Sequence, residues 1–408
     1  MNTSKIDKDI LDGFEYFVKT RRHIHSYPEV GPVQNETVKY IKKQFANLEE
    51  VVVIEGDPKA GIVIDIICKG NGPIIAFRAD MDALDVEESK SSNHFPSKNN
   101  FCSKVKNKMH ACGHDIHTAI LIGFGHIIYK YRKKLNGKIR LLFQPGEEGY
   151  AGGRQMVNSG YLDGVQNVFA LHNWPSLEVG QIGFKKGPFF ASIDHFDVKI
   201  SGKGGHAAAP ERASDQILAM SRVINDLQSI ISRRISGLNQ AVLSVCYANA
   251  GVSTANNVIP QYSRFGGSVR TFDIKTQNII EKEFRRICEY SALSVSPNCK
   301  VEVEYKREYP QVINDDEVAK MVENVFSKFI DKQNLFPDYS PTLGAEDFSF
   351  MLDKVPGLLF LIGGTTPSRL TDDTVFLHNP SFDVDERAML FGIQAFKNLA
   401  FELLCEQP

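Results

Sequence analysis

The chain has 408 residues, of which 42% are hydrophobic and 24% charged, and its formal net charge is −2 at pH 7. This length predicts two domains, and the near-neutral charge argues against a nucleic-acid-binding protein, which would carry a basic excess on one face. No apolar run reaches the roughly 18 residues of a membrane-spanning helix, and the polar start MNTSKIDKDILDG lacks the hydrophobic segment of a signal peptide. We therefore expect a cytoplasmic protein with no nucleic-acid or membrane partner.

Strand-like and helix-like segments alternate in the first half of the chain. The β-branched runs GIVIDIIC and PIIAFRAD come first, followed by the helix-periodic run AILIGFGHIIYKYRKKL and the strands GKIRLLFQPG and NVFALHNWP. This βαβ rhythm predicts an α/β fold with a mixed, largely parallel sheet sandwiched by helices. The polar, lysine-rich stretch ESKSSNHFPSKNNFCSKVKNK predicts a mobile surface loop.

The rhythm changes at about residue 190. From HFDVKISGKGG to KVEVEYK the order is β-α-β-β-α-β, which predicts a small α+β ferredoxin-like domain. Because the α/β rhythm resumes with GLLFLIGG and a final helix, we predict a catalytic domain formed by residues 1–189 and 307–408, with residues 190–306 inserted into it. Asp383 and Glu386, three residues apart, predict a capping box for the last helix.

The seven cysteines are scattered and odd in number, which argues against a disulfide framework. Only Cys112 has histidines close by in the sequence. Other metal-competent side chains follow predicted strands, and in an open α/β sheet ligands bind beyond the carboxyl ends of the strands. We therefore expect convergence at one edge of the sheet of Asp80, Asp82, Cys112, His114, Asp115, Glu147, Glu148, His172 and His378.

Cys112 and His114 are separated by one glycine in the stretch MHACGHD. A thiolate and an imidazole so placed can bind a borderline-soft ion such as zinc, with Asp115 orienting a histidine. In the alternative, Cys112 is a small buried hydrophobic residue and the histidines cap the following helix. The further metal-competent residues predicted nearby favour the metal site.

Glu147 and Glu148 are adjacent carboxylates in a turn, where they cannot share one face of a regular element. One can coordinate a metal while the other faces the reaction, which favours Glu148 as the ligand and Glu147 as the general base for an activated water. The alternative is a helix start at which both acids favour the helix dipole.

Three further residues have two interpretations each. His172 ends an apolar strand and is either a ligand or a satisfied core histidine. His206 follows a glycine pair and either stabilises developing negative charge on a substrate or is an exposed loop histidine. Arg270 either binds a substrate carboxylate or is a surface charge on a strand.

Ten motifs in order resemble the M20 metallopeptidase family, in its amidohydrolase branch of aminoacylases, hippurate hydrolases, N-acetyldiaminopimelate deacetylases and auxin-conjugate hydrolases. They extend nearly from end to end: RRHIHSYPEVG, IAFRADMDALDVEE, MHACGHDIHTA, LLFQPGEEGYAGG, FALHNWPSLEVG, SGKGGHAAAP, NVIP, GGSVRTFD, LGAEDFSFM and LHNPSFDVDE. The chain departs from the usual pattern at Asp85, where the family usually has proline, and its loop before MHACGHD is longer by a few residues than the family pattern.

The resemblance implies a hydrolase with two divalent metal ions, and a thiolate ligand suits zinc while manganese, cobalt or nickel are also compatible. The implied ligands are Cys112, His114, Glu148, His172 and His378, with Asp82 and Asp115 orienting them through hydrogen bonds. Glu147 is the implied base. The inserted domain is the implied lid and homodimer surface, with His206 and Asn257 near the substrate and Arg270 receiving its carboxylate.

The hypothesis from the sequence is hydrolysis of the amide bond of an N-acyl-L-amino acid by a metal-activated water. An aminopeptidase or dipeptidase of the same superfamily is an alternative that needs a group for a free α-amine, and no such group is identified. A thiol hydrolase using Cys112 is a second alternative. A non-catalytic binding protein is a third, and the presence of Glu147 argues against it.

Overall fold

The computed structural model describes residues 4–366 and 376–405. The chain divides into two compact units, of which the first comprises Met1–Gly187, Ile313–Ser340 and Asp347–Pro408. The second comprises Pro188–Val312 and Pro341–Glu346. The second unit therefore interrupts the first in sequence.

The strands, in chain order, are β1 Val51–Glu55, β2 Ile62–Ile67, β3 Lys69–Asp80, β4 Asn136–Gln144, β5 Val165–Glu178, β6 Ile182–Gly183, β7 Gly187–Phe190, β8 Ser192–Ser201, β9 Gly205–His206, β10 Ala241–Ala250, β11 Val258–Ile259, β12 Tyr262–Thr271, β13 Lys300–Tyr309, β14 Val312–Asn314, β15 Leu335–Phe336 and β16 Gly357–Thr365. The α-helices are α1 Lys8–Asp12, α2 Phe14–Ser26, α3 Asn35–Phe45, α4 Phe95–Lys98, α5 His114–Tyr131, α6 Glu147–Tyr150, α7 Gly152–Asn158, α8 Gln216–Ser229, α9 Ile274–Val295, α10 Asp316–Phe326, α11 Ser349–Leu352 and α12 Ala388–Leu404.

An eight-stranded sheet forms the centre of the first unit, in the order β1-β2-β4-β3-β5-β16-β6-β15. The four central strands β4, β3, β5 and β16 are parallel to one another, whereas β1 and β2 pair antiparallel at one side. Every residue of β16 is buried, as expected for a parallel strand covered on both faces. The predicted mixed, largely parallel α/β sheet is confirmed.

Helices pack directly on this sheet through aromatic side chains. The ring centroid of Phe77 on β3 lies 4.6 Å from that of Phe124 on α5 and 5.0 Å from that of Phe396 on α12. α5 presents buried residues along most of its length because apolar residues occupy nearly all of its faces. Among the described residues, no helix combines the length and the apolar character that are needed to cross a bilayer.

The second unit contains a four-stranded sheet in the order β10-β12-β8-β13, in which neighbouring strands are antiparallel. Along the chain its elements are β8, α8, β10, β12, α9 and β13, which is the predicted ferredoxin-like β-α-β-β-α-β arrangement. Phe284 of α9 packs on Phe196 of β8 with a centroid distance of 4.5 Å, so the helix covers one face of the sheet.

The predicted capping box of the last helix was wrong. α12 begins at Ala388, and its N-cap residue Arg387 makes no capping bond from its side chain. Asp383 instead accepts a hydrogen bond from Arg21 at 3.3 Å, and Glu386 accepts two from Arg22 at 2.8 Å each. Charged guanidinium donors form stronger bonds than backbone amides, which explains why both acids face α2.

The lysine-rich loop before α5 is anchored at its ends and in its middle. Leu84 and Met109 exchange two backbone hydrogen bonds of 3.0 Å, which closes the loop at its base. Glu88, His94 and Phe101 are buried within it. Its polar composition does not predict this burial.

Candidate metal centre

Cys112 and His172 form the inner part of a buried cluster of metal-competent side chains in the first unit. The Cys112 Sγ lies 3.6 Å from His172 Nε2, and His172 Nδ1 donates a hydrogen bond to the Asn173 carbonyl oxygen at 2.7 Å. The ring proton is thereby held on Nδ1, so the lone pair of Nε2 faces the sulfur. Two donor atoms around a tetrahedral zinc ion lie about 3.5 Å apart. The pair therefore has the spacing of two ligands of one ion.

His114, the first residue of α5, offers a second imidazole to this pair. Its Nδ1 lies 3.2 Å from Asp82 Oδ1, while its buried Nε2 has no hydrogen-bond partner among the described residues. One ring nitrogen of His114 lies within 4.8 Å of the donor atoms of Cys112 and His172. Asp80 Oδ2 lies 3.7 Å from this Nε2, too far for a hydrogen bond. Since a buried nitrogen without a hydrogen bond is costly, a metal ion fits the gap between Cys112, His114 and His172.

Gly113 sets the direction in which Cys112 and His114 point. Its φ of 91° is a left-handed conformation that glycine adopts readily. A Cβ at this position would lie 1.9 Å from Asn173 Oδ1. The turn before α5 therefore needs glycine both for its backbone angle and for the close approach of Asn173.

Glu147 and Glu148 follow β4 in a distorted turn in which Gly146 has φ 59° and Glu148 has a non-helical ψ of 69°. The two residues have different hydrogen-bond partners in this irregular turn. Glu147 is buried and accepts a 3.4 Å hydrogen bond from the Asp347 amide, whereas the Glu148 amide donates to Asp82 Oδ2 at 3.0 Å. Both carboxylates keep an oxygen within 4.8 Å of a nitrogen of His114.

His378 reaches the cluster from the segment before α12. Its Nε2 lies 3.1 Å from Glu148 Oε1, and Cys112, Glu148 and His378 have donor atoms within 4.8 Å of one another. Its backbone amide donates to Ala111 O at 2.8 Å, beside Cys112. The φ of His378 is 66°, an uncommon conformation for a residue other than glycine. Such strain is typical of functional positions that the surrounding structure holds in place.

The charges of the cluster follow from burial and close contact. Burial and the neighbouring Glu148 raise the pKa of the Cys112 thiol. Hydrogen bonds to Cys112 and Glu148 raise the pKa of His378 to about 10. Burial lowers the pKa of His172 well below its ordinary value, which leaves this ring neutral. Protons on Cys112 and His378 therefore occupy places for which a divalent ion competes.

Asp80, His117 and Asn173 form a supporting layer. Asp80 is the last residue of β3 and was predicted to be metal-competent, but its partner His117 was not predicted. His117 Nδ1 lies 2.6 Å from Asp80 Oδ1 and its Nε2 accepts the Asn173 amide at 2.9 Å. Because both ring nitrogens are bonded, His117 serves as support and not as a ligand. Its spacing of three residues from His114 on one helix was the available signal.

A second supporting group lies beside Glu147. Arg78 donates to Asp80 Oδ2 at 2.8 Å and to Asp347 Oδ1 at 3.0 Å, and Gln144 donates to the same Asp347 oxygen at 2.7 Å. Asp347 is fixed further by the Gly153 amide at 2.8 Å. The Asp347 amide that bonds Glu147 is therefore held rigidly, and sequence reasoning missed it.

Asp115, which we expected to orient a ligand, has other partners. Its Oδ2 accepts from Arg21 Nε at 3.0 Å and lies 2.9 Å from His25 Nδ1. Neither Arg21 nor His25 belongs to the predicted ligand set. Asp115, in the first turn of α5, is therefore the partner of the buried Arg21 guanidinium on α2.

His206, Asn257 and Arg270 lie in the second unit. His206 on β9 is exposed and pairs with β11, and the Ala207 amide donates to Asn257 O at 2.9 Å, so these two residues are neighbours. Arg270 on β12 is half-buried and its Nη1 donates to Leu343 O at 2.8 Å. Burial lowers the pKa of the Arg270 guanidinium.

Comparison with known proteins connects this cluster to a family. The family model described as "Peptidase family M20/M25/M40" matches residues 76–402 of the chain. The chain belongs to the M20 family. The N-acetylcysteine deacetylase of Bacillus subtilis (strain 168) is 36% identical over 387 residues, covering 95% of this chain and 96% of that protein.

Two more similar proteins cover nearly the whole chain. The IAA-amino acid hydrolase ILR1-like 4 of Arabidopsis thaliana is 35% identical over 97% of this chain and 87% of its own length. A dinuclear metal-binding peptidase of the M20 family from Bacillus subtilis has a solved structure with a TM-score of 0.80 and 31% identity, covering 97% of this chain and 99% of that one. The protein is accordingly a metallopeptidase-family hydrolase of amide bonds.

A substitution of Asp82 tests whether this residue orients ligands of the candidate metal centre. The two carboxylate oxygens of Asp82 contact His114 Nδ1 and the Glu148 amide. Asp82→Asn removes the negative charge and replaces one of these two oxygens by an NH₂ group. We expect zinc affinity to fall about 10- to 100-fold, as for other residues that orient metal ligands. Asp194→Asn, at a buried aspartate of the second unit, is the control that should leave affinity unchanged. Equal zinc affinities of the two variants in a competition titration would contradict this role of Asp82.

Proposed function

We propose that the protein hydrolyses the amide bond of N-acyl-L-amino acids with two divalent metal ions held in the candidate metal centre. The observation that carries the proposal is the sharing of one thiol between two donor groups. Cys112 belongs to one group of close donor atoms with His114 and His172, and to a second with Glu148 and His378. Each group offers three donors to one ion, so the five side chains suit a pair of ions.

The donor types support zinc as the preferred ion. Imidazole, thiolate and carboxylate donors suit a borderline-soft ion, whereas a site for magnesium or calcium would be built from oxygen ligands. Manganese, cobalt and nickel remain compatible with the histidine and carboxylate donors. The relative from Bacillus subtilis described as a dinuclear metal-binding peptidase supports the number of ions.

Bound divalent ions would supply Lewis-acid activation of a water molecule and of the scissile carbonyl group. Glu147 would take a proton from the attacking water and pass it to the leaving amine. Its carboxylate is buried, lies within reach of the metal-binding side chains, and is held by the Asp347 amide. This position supports Glu147 as the base and Glu148 as a ligand.

We assign three residues of the second unit to the substrate. His206 would stabilise the negative charge that develops on the carbonyl oxygen, with Asn257 beside it. Arg270 would bind the carboxylate of the amino-acid portion through its planar guanidinium group. The exposed imidazole of His206 and the half-buried guanidinium of Arg270 are compatible with these roles.

We also propose a homodimer formed through the second unit. β10 is an edge strand of ten residues in the four-stranded sheet, and its side chains Val242 and Tyr247 are exposed. A long, exposed apolar edge is a ready template for pairing with another strand. Sedimentation equilibrium should therefore give twice the mass of one chain, and Val242→Lys should shift the protein toward the monomer.

A thiol hydrolase receives less support. The Cys112 thiol is buried and its pKa is raised, so the nucleophilic thiolate is scarce near pH 7. A peptidase acting on free amino termini would need an acidic partner for the α-amine, and we identify none among the residues that the structure describes.

The substrate class is tested by amine release from a panel at saturating zinc or manganese. The panel comprises hippurate, N-acetyl-cysteine, N-acetyl-methionine, N-acetyl-diaminopimelate, an indoleacetyl amino acid and a free dipeptide. We expect kcat/KM for at least one N-acyl amino acid to exceed that for the dipeptide by more than about tenfold, because an unneutralised ammonium group is costly to bury. Preferential cleavage of the dipeptide would replace the proposal with a peptidase.

A further inference from the structure

A second group of metal-competent side chains lies in the loop before α5. Glu88, His94 and Cys102 each offer one donor atom, and the three atoms lie within 4.8 Å of one another. Carboxylate oxygen, imidazole nitrogen and thiol sulfur are donors that zinc accepts together. None of the three belongs to the candidate metal centre.

Glu88 is the fixed point of this group. Its side chain is buried, and its Oε1 lies 3.0 Å from His94 Nε2 and 3.0 Å from His25 Nε2. Its Oε2 accepts the Ser103 amide at 2.5 Å. Donors on both oxygens hold the carboxylate in one orientation and keep it ionised, and the pKa of Glu88 is lowered to about 2 although burial opposes its charge.

His94 and Cys102 are brought to Glu88 by the fold of the loop. The Ser91 carbonyl accepts the His94 amide at 3.0 Å, and α4 follows directly, with the Lys98 amide donating to His94 O at 2.9 Å. The Phe101 carbonyl, next to Cys102, accepts the Ser26 hydroxyl at 2.9 Å. Hydrogen bonds therefore fix the backbone at His94 and next to Cys102.

The geometry points to a second, independent metal site, and we propose that Glu88, His94 and Cys102 bind one zinc ion. The ion would take the place of the hydrogen between His94 Nε2 and Glu88 Oε1, and the imidazole would then carry its proton on Nδ1. The separation of these two atoms has to widen by about 0.3 Å to match zinc ligand distances. Cys102 is only partly buried, so water reaches the group and can supply a fourth ligand. The ion would join Glu88 at the base of the loop to Cys102 near its end.

Zinc binding at this site should release the proton of the Cys102 thiol. Burial and the nearby Glu88 raise the pKa of the Cys102 thiol to about 11, so this thiol is protonated near pH 7. Coordination requires the thiolate, and the bond from zinc to sulfur forms as the S–H proton leaves to the buffer. Binding at this site therefore releases a proton from Cys102.

The first experiment counts zinc per chain by mass spectrometry after equilibrium dialysis at one fixed free zinc concentration. Cys102→Ser and His94→Ala should each hold one ion fewer per chain than the wild type. Cys246→Ser, which removes an exposed cysteine of the second unit, should match the wild type. The result is a difference between variants, so it stands whether or not the proposed hydrolase activity is correct. Equal counts in all four proteins would overturn the proposal.

The second experiment isolates the thiol by spectroscopy. With cobalt in place of zinc, Cys112→Ser should retain a near-ultraviolet thiolate-to-metal band from Cys102, and the double variant Cys112→Ser, Cys102→Ser should lose it.

A third experiment measures proteolysis of the loop. Trypsin should cut the wild-type loop after Lys98 more slowly with zinc than without, and Cys102→Ser should lose this protection. Absence of the band in Cys112→Ser would overturn the proposal, as would zinc protection that Cys102→Ser retains.

Discussion

Glu147→Gln is expected to lower kcat about 10²- to 10⁴-fold, the usual cost of removing a general base. Glutamine keeps the shape of the side chain and can still accept the Asp347 amide hydrogen bond, but it cannot take a proton from water. kcat and kcat/KM should fall together, because proton transfer belongs to the transition state and not to substrate binding. Bound metal should remain at the wild-type level.

Glu148→Gln is the matched control, one residue away with the same chemical change. Glu148 faces Cys112 and His378, so its loss should appear as weaker metal binding, with activity recovered at high metal concentration. Full activity of Glu147→Gln with metal bound would show that another group is the base.

Arg21→Met is expected to lower the free energy of unfolding by about 3–5 kcal/mol, the range for breaking a buried ion pair from one side. Arg21 is 1% exposed and contacts Asp115 Oδ2 at 3.0 Å and Asp383 Oδ1 at 3.3 Å. Methionine fills a similar volume but leaves both buried carboxylates without this cation. Urea unfolding at pH 7 measures the change, and Lys39→Met, at an exposed ion pair, should leave the urea midpoint unchanged.

The difference in the free energy of unfolding between the wild type and Arg21→Met should become smaller as the pH is lowered from 7 toward 4. The pKa of Asp115 is held far below its ordinary value: burial raises it, but Arg21 and His25 outweigh that effect. A carboxyl with a lowered folded pKa contributes stability that is fully present above its unfolded pKa of about 4 and is lost as the pH falls. Without Arg21 the folded pKa rises, so the variant loses less stability on acidification. A pH-independent difference would contradict the charge explanation.

The fold class was predictable because buried parallel strands and covered helices leave long apolar runs in the sequence. GLLFLIGG became β16, which is buried throughout, and AILIGFGHIIYKYRKKL became most of α5. The capping box failed because Asp383 and Glu386 have guanidinium partners that come from α2, more than 350 residues away in sequence. A local motif cannot reveal a competing partner at such a distance.

The site itself was predictable only in part for the same reason. Cys112 and His114 share one motif, so their proximity follows from sequence. Asp347 contacts Glu147 across 200 residues, and His117 has its tautomer fixed by a backbone amide of β5. Such support depends on tertiary packing, which spacing along the chain does not encode. The burial of Glu88 and His94 inside a polar loop was hidden in the same way.

We propose that amide hydrolysis depends on metal ions in the cluster around Cys112. The most direct test measures amine release from the best N-acyl amino acid by chelator-stripped protein as zinc or manganese is added back, with a thiol-alkylated sample in parallel. We expect stripping to abolish hydrolysis and added metal to restore it in proportion to the bound ion. Hydrolysis that persists in the stripped protein and is blocked by alkylation would contradict it and assign the chemistry to the Cys112 thiol.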